Sequence, residues 1–287
     1  MIKLPDMPYI ILIVCMAVAI ALQILTGGIP FYLLSFPVNL ILAMIWTVVM
    51  LSLWKSCRKS LFVEFMLSRP ATLSSVALFL IFCLVVGITG NRGLTDSWIS
   101  AVLMLYMQTV LLFVILRGWR APTATGARLG AVRWRFLLNH TGLLLALASA
   151  FWGAPDSLTL RLQVFPDMPE REVYDMDGRR YVLPYEIELK DFTVSHYANG
   201  TPSMFEAAVI IDGEPVTLRV NEPYARSFGE DIYLSGYGGV DQVGKNGCVL
   251  QIVREPWKYP ALAGIAMMLS GALLLFVGGP RRRNDDE

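Results

Sequence analysis

Six apolar runs decide what this chain can become. They cover approximately residues 9–25, 38–53, 73–88, 98–116, 136–152 and 259–277. At about 1.5 Å per residue, helices of this length reach across most or all of the roughly 30 Å hydrocarbon core of a bilayer. Backbone N–H and C=O groups find no partner in lipid, so each run must be helical there. Only 16% of the residues are charged, against about 25% in soluble domains. The first run resembles a secretory leader in length. However, Pro5, Asp6 and Pro8 precede it and no small-x-small site closes it, so an uncleaved span is expected.

Basic residues orient these spans. Lys55, Arg58, Lys59 and Arg69 lie between the second and third. Arg117, Arg120, Arg128, Arg133 and Arg135 lie between the fourth and fifth, Arg281, Arg282 and Arg283 in the tail, and Lys3 at the start. The short loops of the opposite side hold Arg92. Lysine and arginine concentrate on the cytoplasmic face, so both termini are expected there. Trp98, Trp152, Trp257 and Tyr259 then fall at the outer boundaries, where amphipathic rings settle. Residues 122–130, rich in Thr, Ala and Gly, read as a flexible linker on the basic side.

From about 153 to 258 the pattern changes. Long apolar runs vanish, and 17 acidic residues stand against 10 basic ones. Roughly 100 residues suffice for one small core. Asp177-Gly178, Asn199-Gly200 and Asp212-Gly213 are each flanked by strand-like sequence, which signals hairpins. Ile187 and Leu189 alternate with Glu186, Glu188 and Lys190; Phe192 and Val194 then take the other phase. That switch predicts a bulge near Lys190-Asp191. Residues 207–211, 216–220, 231–237 and 247–253 read as further strands. The expected fold class is a polytopic α-helical membrane protein of about six spans. One extracytoplasmic antiparallel β-domain, sandwich-like with roughly seven strands, is inserted between spans five and six. The expected divisions are a five-span bundle at 1–152, the β-domain at 153–258, and a last span with a basic tail at 259–287. Residues 133–152 form the hinge between bundle and β-domain.

Enzyme signatures are absent from the sequence. It has no nucleophile elbow, P-loop, zincin motif or dinucleotide fingerprint. Gly236-Tyr237-Gly238-Gly239 reads as a tight loop between strands, not a phosphate site. Cys15, Cys57, Cys83 and Cys248 stand singly with no C-x-x-C pair, which excludes a dithiol or zinc-knuckle motif. Cys248 reads as a small buried hydrophobe, and the domain's carboxylates as ordinary strand-surface charge. His140, one of two histidines, lies about 7 Å inside the fifth span counted from Arg135. An ionisable side chain there is costly unless it faces protein, water or a ligand. A neutral imidazole is a common axial ligand of haem iron. Alternatively, His140 and Asn139 bond across helices as structural glue. The residues alone leave both open. His196, in phase with Phe192 and Val194, reads as a buried histidine; Gln23 and Gln108 read as helix–helix hydrogen bonds.

Several stretches together resemble the ResB/CcsB family of cytochrome c biogenesis proteins, the so-called system II. Leu183-Pro184-Tyr185, Glu188-Leu189-Lys190-Asp191-Phe192 and the gapped Tyr197, Asn199-Gly200-x-Pro202, Phe205 carry the resemblance first. Val220-Asn221-Glu222-Pro223, Ile232-Tyr233-Leu234-Ser235-Gly236-Tyr237 and Cys248-Val249-Leu250-Gln251-Ile252-Val253-Arg254-Glu255-Pro256-Trp257 continue it. Phe136-Leu137-Leu138-Asn139-His140-Thr141-Gly142 also resembles that family, as does the final span followed by arginines. The resemblance implies a non-catalytic subunit in the bacterial cytoplasmic (inner) membrane, with the β-domain on its outer, periplasmic side. It implies a role in haem delivery and in holding apocytochrome c for covalent attachment. Its partners would be a CcsA-like tryptophan-rich membrane protein, apocytochrome c and thiol-reducing proteins. It also implies His140 as a haem axial ligand. The chain lacks the tryptophan-rich haem loop itself, so that loop belongs to a separate partner. The alternative class is a membrane-anchored β-domain scaffold that binds no haem.

Overall fold

A computed structural model describes residues 7–120, 127–240 and 246–278. The chain divides into two units. One comprises residues up to Pro155 together with those from Tyr259 onward; the other is Asp156–Lys258. Lys3 and Arg281–283 of the expected basic side lie outside the described residues.

The first unit is helical: α1 (Met7–Thr26), α2 (Val38–Ser56), α3 (Leu61–Met66), α4 (Arg69–Thr89), α5 (Trp98–Arg120), α6 (Ala127–Gly153) and α7 (Lys258–Gly278). Each of the six apolar runs lies within one of these helices. Five of them, α2, α4, α5, α6 and α7, are long and apolar enough to cross a membrane. In α1 the apolar stretch among the described residues is Leu12–Thr26. Residues 127–130, expected in a flexible linker, instead form the first turn of α6; residues 121–126 lie outside the described chain. The six-residue α3 is too short to leave a span-like signal. Ser60 caps it, its Oγ accepting from the Val63 amide at 3.4 Å, and Ser68 caps α4 in the same way through the Ala71 amide at 3.2 Å.

The bundle is organised on α5, the most enclosed of the five long helices. It packs against α1, α4 and α6. Phe113 of α5 is fully buried, stacked on Trp54 of α2 with ring centroids 5.9 Å apart, and it joins Val63, Phe65 and Met66 of α3 in one core. Leu111 and Ile115 turn to the other side and pack with Leu137 of α6. The two glutamines bond between helices as expected. Gln23 Oε1 accepts from the Trp98 amide at 3.1 Å, and Gln108 Oε1 accepts from Trp152 Nε1 at 3.2 Å.

The second unit holds β1 (Leu158–Val164), β2 (Pro169–Asp175), β3 (Arg180–His196), β4 (Pro202–Ile211), β5 (Glu214–Arg219), β6 (Tyr224–Ser227), β7 (Glu230–Val240) and β8 (Asn246–Arg254). All three expected hairpins form, joining β2 to β3, β3 to β4 and β4 to β5. At the last, Asp212 and Gly213 both take positive φ, 54° and 84°. That geometry demands glycine or a short polar residue at such a turn. The bulge falls where the phase switch placed it, as a register shift between Leu189 and Asp191.

The expected sandwich of roughly seven strands is instead one eight-stranded antiparallel sheet, ordered β5-β4-β3-β2-β1-β8-β7-β6. The reason is the pairing of β1 with β8 along their whole length, from Leu158↔Arg254 to Val164↔Cys248. This seam joins an N-terminal five-strand meander to a C-terminal three-strand one without a break. The sheet rolls so that β5 packs near β7. Its inner face carries the core, including Leu160, Leu162, Ile187, Leu189, Leu250 and Ile252. Trp257 Nε1 donates to Asp156 Oδ2 at 2.7 Å, tying the two ends of this unit together. The Gly236-Tyr237-Gly238-Gly239 stretch is not a loop. It lies in β7, which shifts register against β8 on both sides of Gly236-Tyr237, so its glycines sit where the ladder is irregular.

Candidate functional site

His140 stands on α6, one turn after Phe136. Its Nδ1 lies 2.8 Å from the Phe136 carbonyl oxygen. A carbonyl can only accept, so Nδ1 carries the proton, and in the neutral ring the lone pair sits on Nε2. The half-buried imidazole also lies on the Phe136 ring, with centroids 4.0 Å apart and planes at 32°. Among the described residues Nε2 makes no hydrogen bond.

Two neighbouring helices fix this corner of α6. A Cβ on Gly118 of α5 would come within 2.2 Å of Phe136 Cε1, so the glycine provides the space that the Phe136 ring fills. On the other side, a Cβ on Gly271 of α7 would meet the Asn139 amide at 2.8 Å. One turn further, a Cβ on Gly142 would lie 2.5 Å from the Gly264 carbonyl oxygen. Backbone contact this close is how helices pack in lipid, where small residues substitute for a hydrophobic drive. Asn139 Nδ2 donates to the Arg135 carbonyl at 2.9 Å. Both polar side chains therefore bond within their own helix, not across helices as the glue reading requires.

The remaining sequence candidates are placed apart from this corner. His196 is exposed at the end of β3, beyond a register shift after Ser195, which corrects its reading as a buried histidine. Its phase with Phe192 and Val194 is real, but the strand outruns the core. Cys248 is fully buried in β8, and burial pushes its thiol up to about 12, so it stays a neutral, inert thiol at neutral pH.

Sequence reading missed a buried charge cluster in the β-unit. Glu230 is only 5% exposed, contrary to its reading as surface charge. Tyr185 Oη donates to its Oε1 at 2.9 Å, Arg226 Nη1 to the same oxygen at 3.2 Å, and Arg254 Nε to Oε2. The Arg226 guanidinium also lies 3.6 Å over the Tyr185 ring and reaches Asp212 Oδ2 at 3.4 Å. Burial alone would raise the Glu230 pKa. The hydrogen bonds from Arg254, Tyr185 and Arg226 and the Arg254 charge outweigh it and hold the carboxyl below its ordinary value. Burial, followed by the bond to Glu230, pushes the Tyr185 phenol well above the usual range. The cluster clasps β3, β6, β7 and β8 at one end of the rolled sheet. Among the described residues no group of three His, Cys, Asp or Glu could hold a metal ion.

Apolar helices of spanning length and a separately folded antiparallel β-domain define the class: a membrane protein with a β-domain. The ResB-like family model matches residues 123–246, a stretch that contains His140 and most of the β-unit. That match covers somewhat less than half of the chain. No curated protein matches the chain. Among solved structures it is similar to one titled "Cytochrome c Heme Lyase CcmF", with a TM-score of 0.39 and 14% identity. That similarity covers 69% of this chain and 33% of the other, so the chain spans about a third of that protein's length.

Proposed function

We propose that this chain is a subunit of a system II cytochrome c assembly complex, in which His140 supplies one axial ligand to haem through Nε2. One observation supports this reading above the others: Nδ1–H is committed to the Phe136 carbonyl at 2.8 Å, which leaves the Nε2 lone pair as the ring's outward donor. Metal-binding histidines are commonly oriented by such a bond on the other nitrogen. A half-buried imidazole with no protein partner at Nε2 among the described residues fits an iron ligand. It supplies one ligand only, because the helical unit's sequence holds no histidine besides His140. The other ligand then comes from a CcsA-like tryptophan-rich membrane partner. Haem held there would supply the ferrous iron needed while thioether bonds form to apocytochrome cysteines. The chain's own part is to hold the imidazole: Gly118 makes room for Phe136, Phe136 fixes the ring, and Asn139 seats α6 on Gly271.

In this proposal the chain crosses the inner membrane six times with both termini cytoplasmic. Residues 1–152 and 259–287 belong to the membrane, and 153–258 meet apocytochrome c and thiol-reducing proteins outside. The distribution of Lys and Arg supports this orientation.

The test of the ligand is spectroscopic. Complex co-purified with its partner is expected to show a Soret band that His140→Ala removes, together with cytochrome c maturation. Haem-free wild-type complex, or full haem content in His140→Ala, overturns it. The orientation has its own test. A membrane-impermeant thiol reagent added outside should label Ser157→Cys and spare the native Cys57, which stands beside Arg58 and Lys59. The reverse pattern sinks the topology.

A second reading, a scaffold that docks a protein without haem, is favoured by the β-unit's exposed Tyr197, Met204 and Tyr237, at 62%, 45% and 67% exposure. It predicts that maturation survives His140→Ala and fails when these side chains are replaced by serine.

A further inference from the structure

The helical unit contains a half-open cavity of about 290 Å³ lined by α1, α2, α3 and α5. Leu12 lines it from α1, Trp46 and Met50 from α2, Phe65 from α3, and residues from Val102 to Thr109 from α5. The seven steps of helix from Val102 to Thr109 give it a height of about 10 Å. Its volume is at the low end of ligand sites, about 300–1,000 Å³, which suits a narrow chain better than a broad ring system.

The hydroxyl groups on its wall are already engaged. The Tyr106 hydroxyl donates to the Ala71 carbonyl at 3.1 Å and shares a hydrogen bond with Ser74 Oγ at 2.8 Å. Thr109 Oγ1 donates to the Leu105 carbonyl at 2.6 Å. What remains is the Trp46 indole N–H, a single donor, and the weak Cys15 thiol. A ligand that needed several hydrogen bonds inside, such as a quinone head with its two carbonyls, would lose its water and find at most one strong donor, the Trp46 indole. A hydrocarbon chain loses nothing there.

Charge surrounds the α3 end of this cavity. Met50 lines the cavity; one turn on, Trp54 carries the Arg58 guanidinium 4.6 Å from its ring centroid. Met66 also lines it, and the carbonyl of the next residue, Leu67, accepts from Arg117 Nη1 at 3.0 Å. Lys55 in the last turn of α2, Lys59 between α2 and α3, and Arg69 at the start of α4 lie close to these in the chain. All five cations are exposed, and none is ion-paired among the described residues. Between residues 55 and 69 the sole carboxylate is Glu64.

We infer that this cavity and its basic rim form a binding site for one anionic phospholipid. An acyl chain occupies the space beneath Trp46 and Met50, and the phosphate lies among Arg58, Lys59 and Arg117. The apolar cavity selects a chain, and the charge selects the headgroup. Basic clusters beside membrane helices recognise anionic lipid in this way. The inference needs neither haem binding nor a particular membrane orientation.

Native mass spectrometry of the full chain in detergent tests it, with phosphatidylglycerol titrated against phosphatidylcholine of identical acyl chains. Wild type is expected to retain phosphatidylglycerol preferentially. Each basic side chain engaged should contribute about fivefold. Arg58→Gln/Lys59→Gln should lower the preference by about 25-fold or abolish it, yet still hold an acyl chain. Thr109→Leu, which narrows the cavity, should weaken retention of both lipids. Equal retention of the two lipids by wild type, or an undiminished preference in the double variant, overturns the proposal. So does unchanged retention in Thr109→Leu. The wild-type comparison decides even if a variant fails to fold.

Discussion

Replacing Glu230 by leucine is expected to destabilise the β-unit by about 3 kcal/mol. The carboxylate is 5% exposed and accepts from Arg254, Arg226 and Tyr185. Removing it leaves two guanidiniums facing each other across the end of the rolled sheet. Breaking a buried pair costs about 3–5 kcal/mol because the surviving charge is stranded. The low end applies because the Arg226 and Arg254 side chains keep 22% and 35% exposure and can recover some water. A pH dependence follows. The folded Glu230 pKa lies below its ordinary value, so the unfolded chain binds the proton more readily. Its stabilisation is therefore complete above the ordinary glutamate value of about 4.3 and erodes as the pH falls below that toward the folded pKa. Thermal melts of the full chain in detergent, followed by β-sheet circular dichroism, check both points. Glu230→Leu should melt lower at pH 7, and Glu230→Gln should flatten the acid limb seen in wild type. A leucine variant as stable as wild type would show that the clasp contributes nothing.

That cluster was partly legible. Glu230, Ile232 and Leu234 follow the two-residue period of a strand, and Ile232 and Leu234 are plainly core positions, so Glu230 shares their face. The same parity misplaced His196. Alternation tells which face a residue takes, not whether the core extends that far, and β3 runs past its core after Phe192. Local chemistry was the most readable. Asp212-Gly213 and the phase switch at Lys190 each fix their geometry within a few residues. The rolled single sheet was not readable, because it depends on β1 meeting β8 almost the whole domain later in the chain. At His140 the position within an apolar run could be read, but the state of the ring could not. The Nδ1 bond depends on a rotamer, and the rotamer depends on Phe136 resting in the space left by Gly118.

The glycines of the α6–α7 crossing were equally silent in sequence, and they carry the second large effect. Gly142→Val is expected to cost about 1–3 kcal/mol, the range for overpacking a filled interface. A Cβ there meets the Gly264 carbonyl oxygen at 2.5 Å and the Met267 Cβ at 3.0 Å; the reciprocal Cβ on Gly264 meets the Gly142 carbonyl at 2.6 Å and the Ala146 amide nitrogen at 2.9 Å. The backbone atoms among these belong to rigid helices and cannot turn aside, so the helices must separate. Separation would also lift Asn139 from Gly271 and loosen the segment that presents His140. The sign of the alanine variant distinguishes packing from propensity. Alanine favours helix over glycine by up to about 1 kcal/mol, so Gly142→Ala would stabilise the protein if the site were open. Gly87 of α4, with nothing within 4 Å of its Cβ position, supplies that comparison. Gly87→Ala should leave the melting temperature unchanged or raise it, Gly142→Ala should lower it, and Gly142→Val should lower it further. A Gly142→Ala protein that melts above wild type would mean that α6 and α7 are not in backbone contact at this crossing.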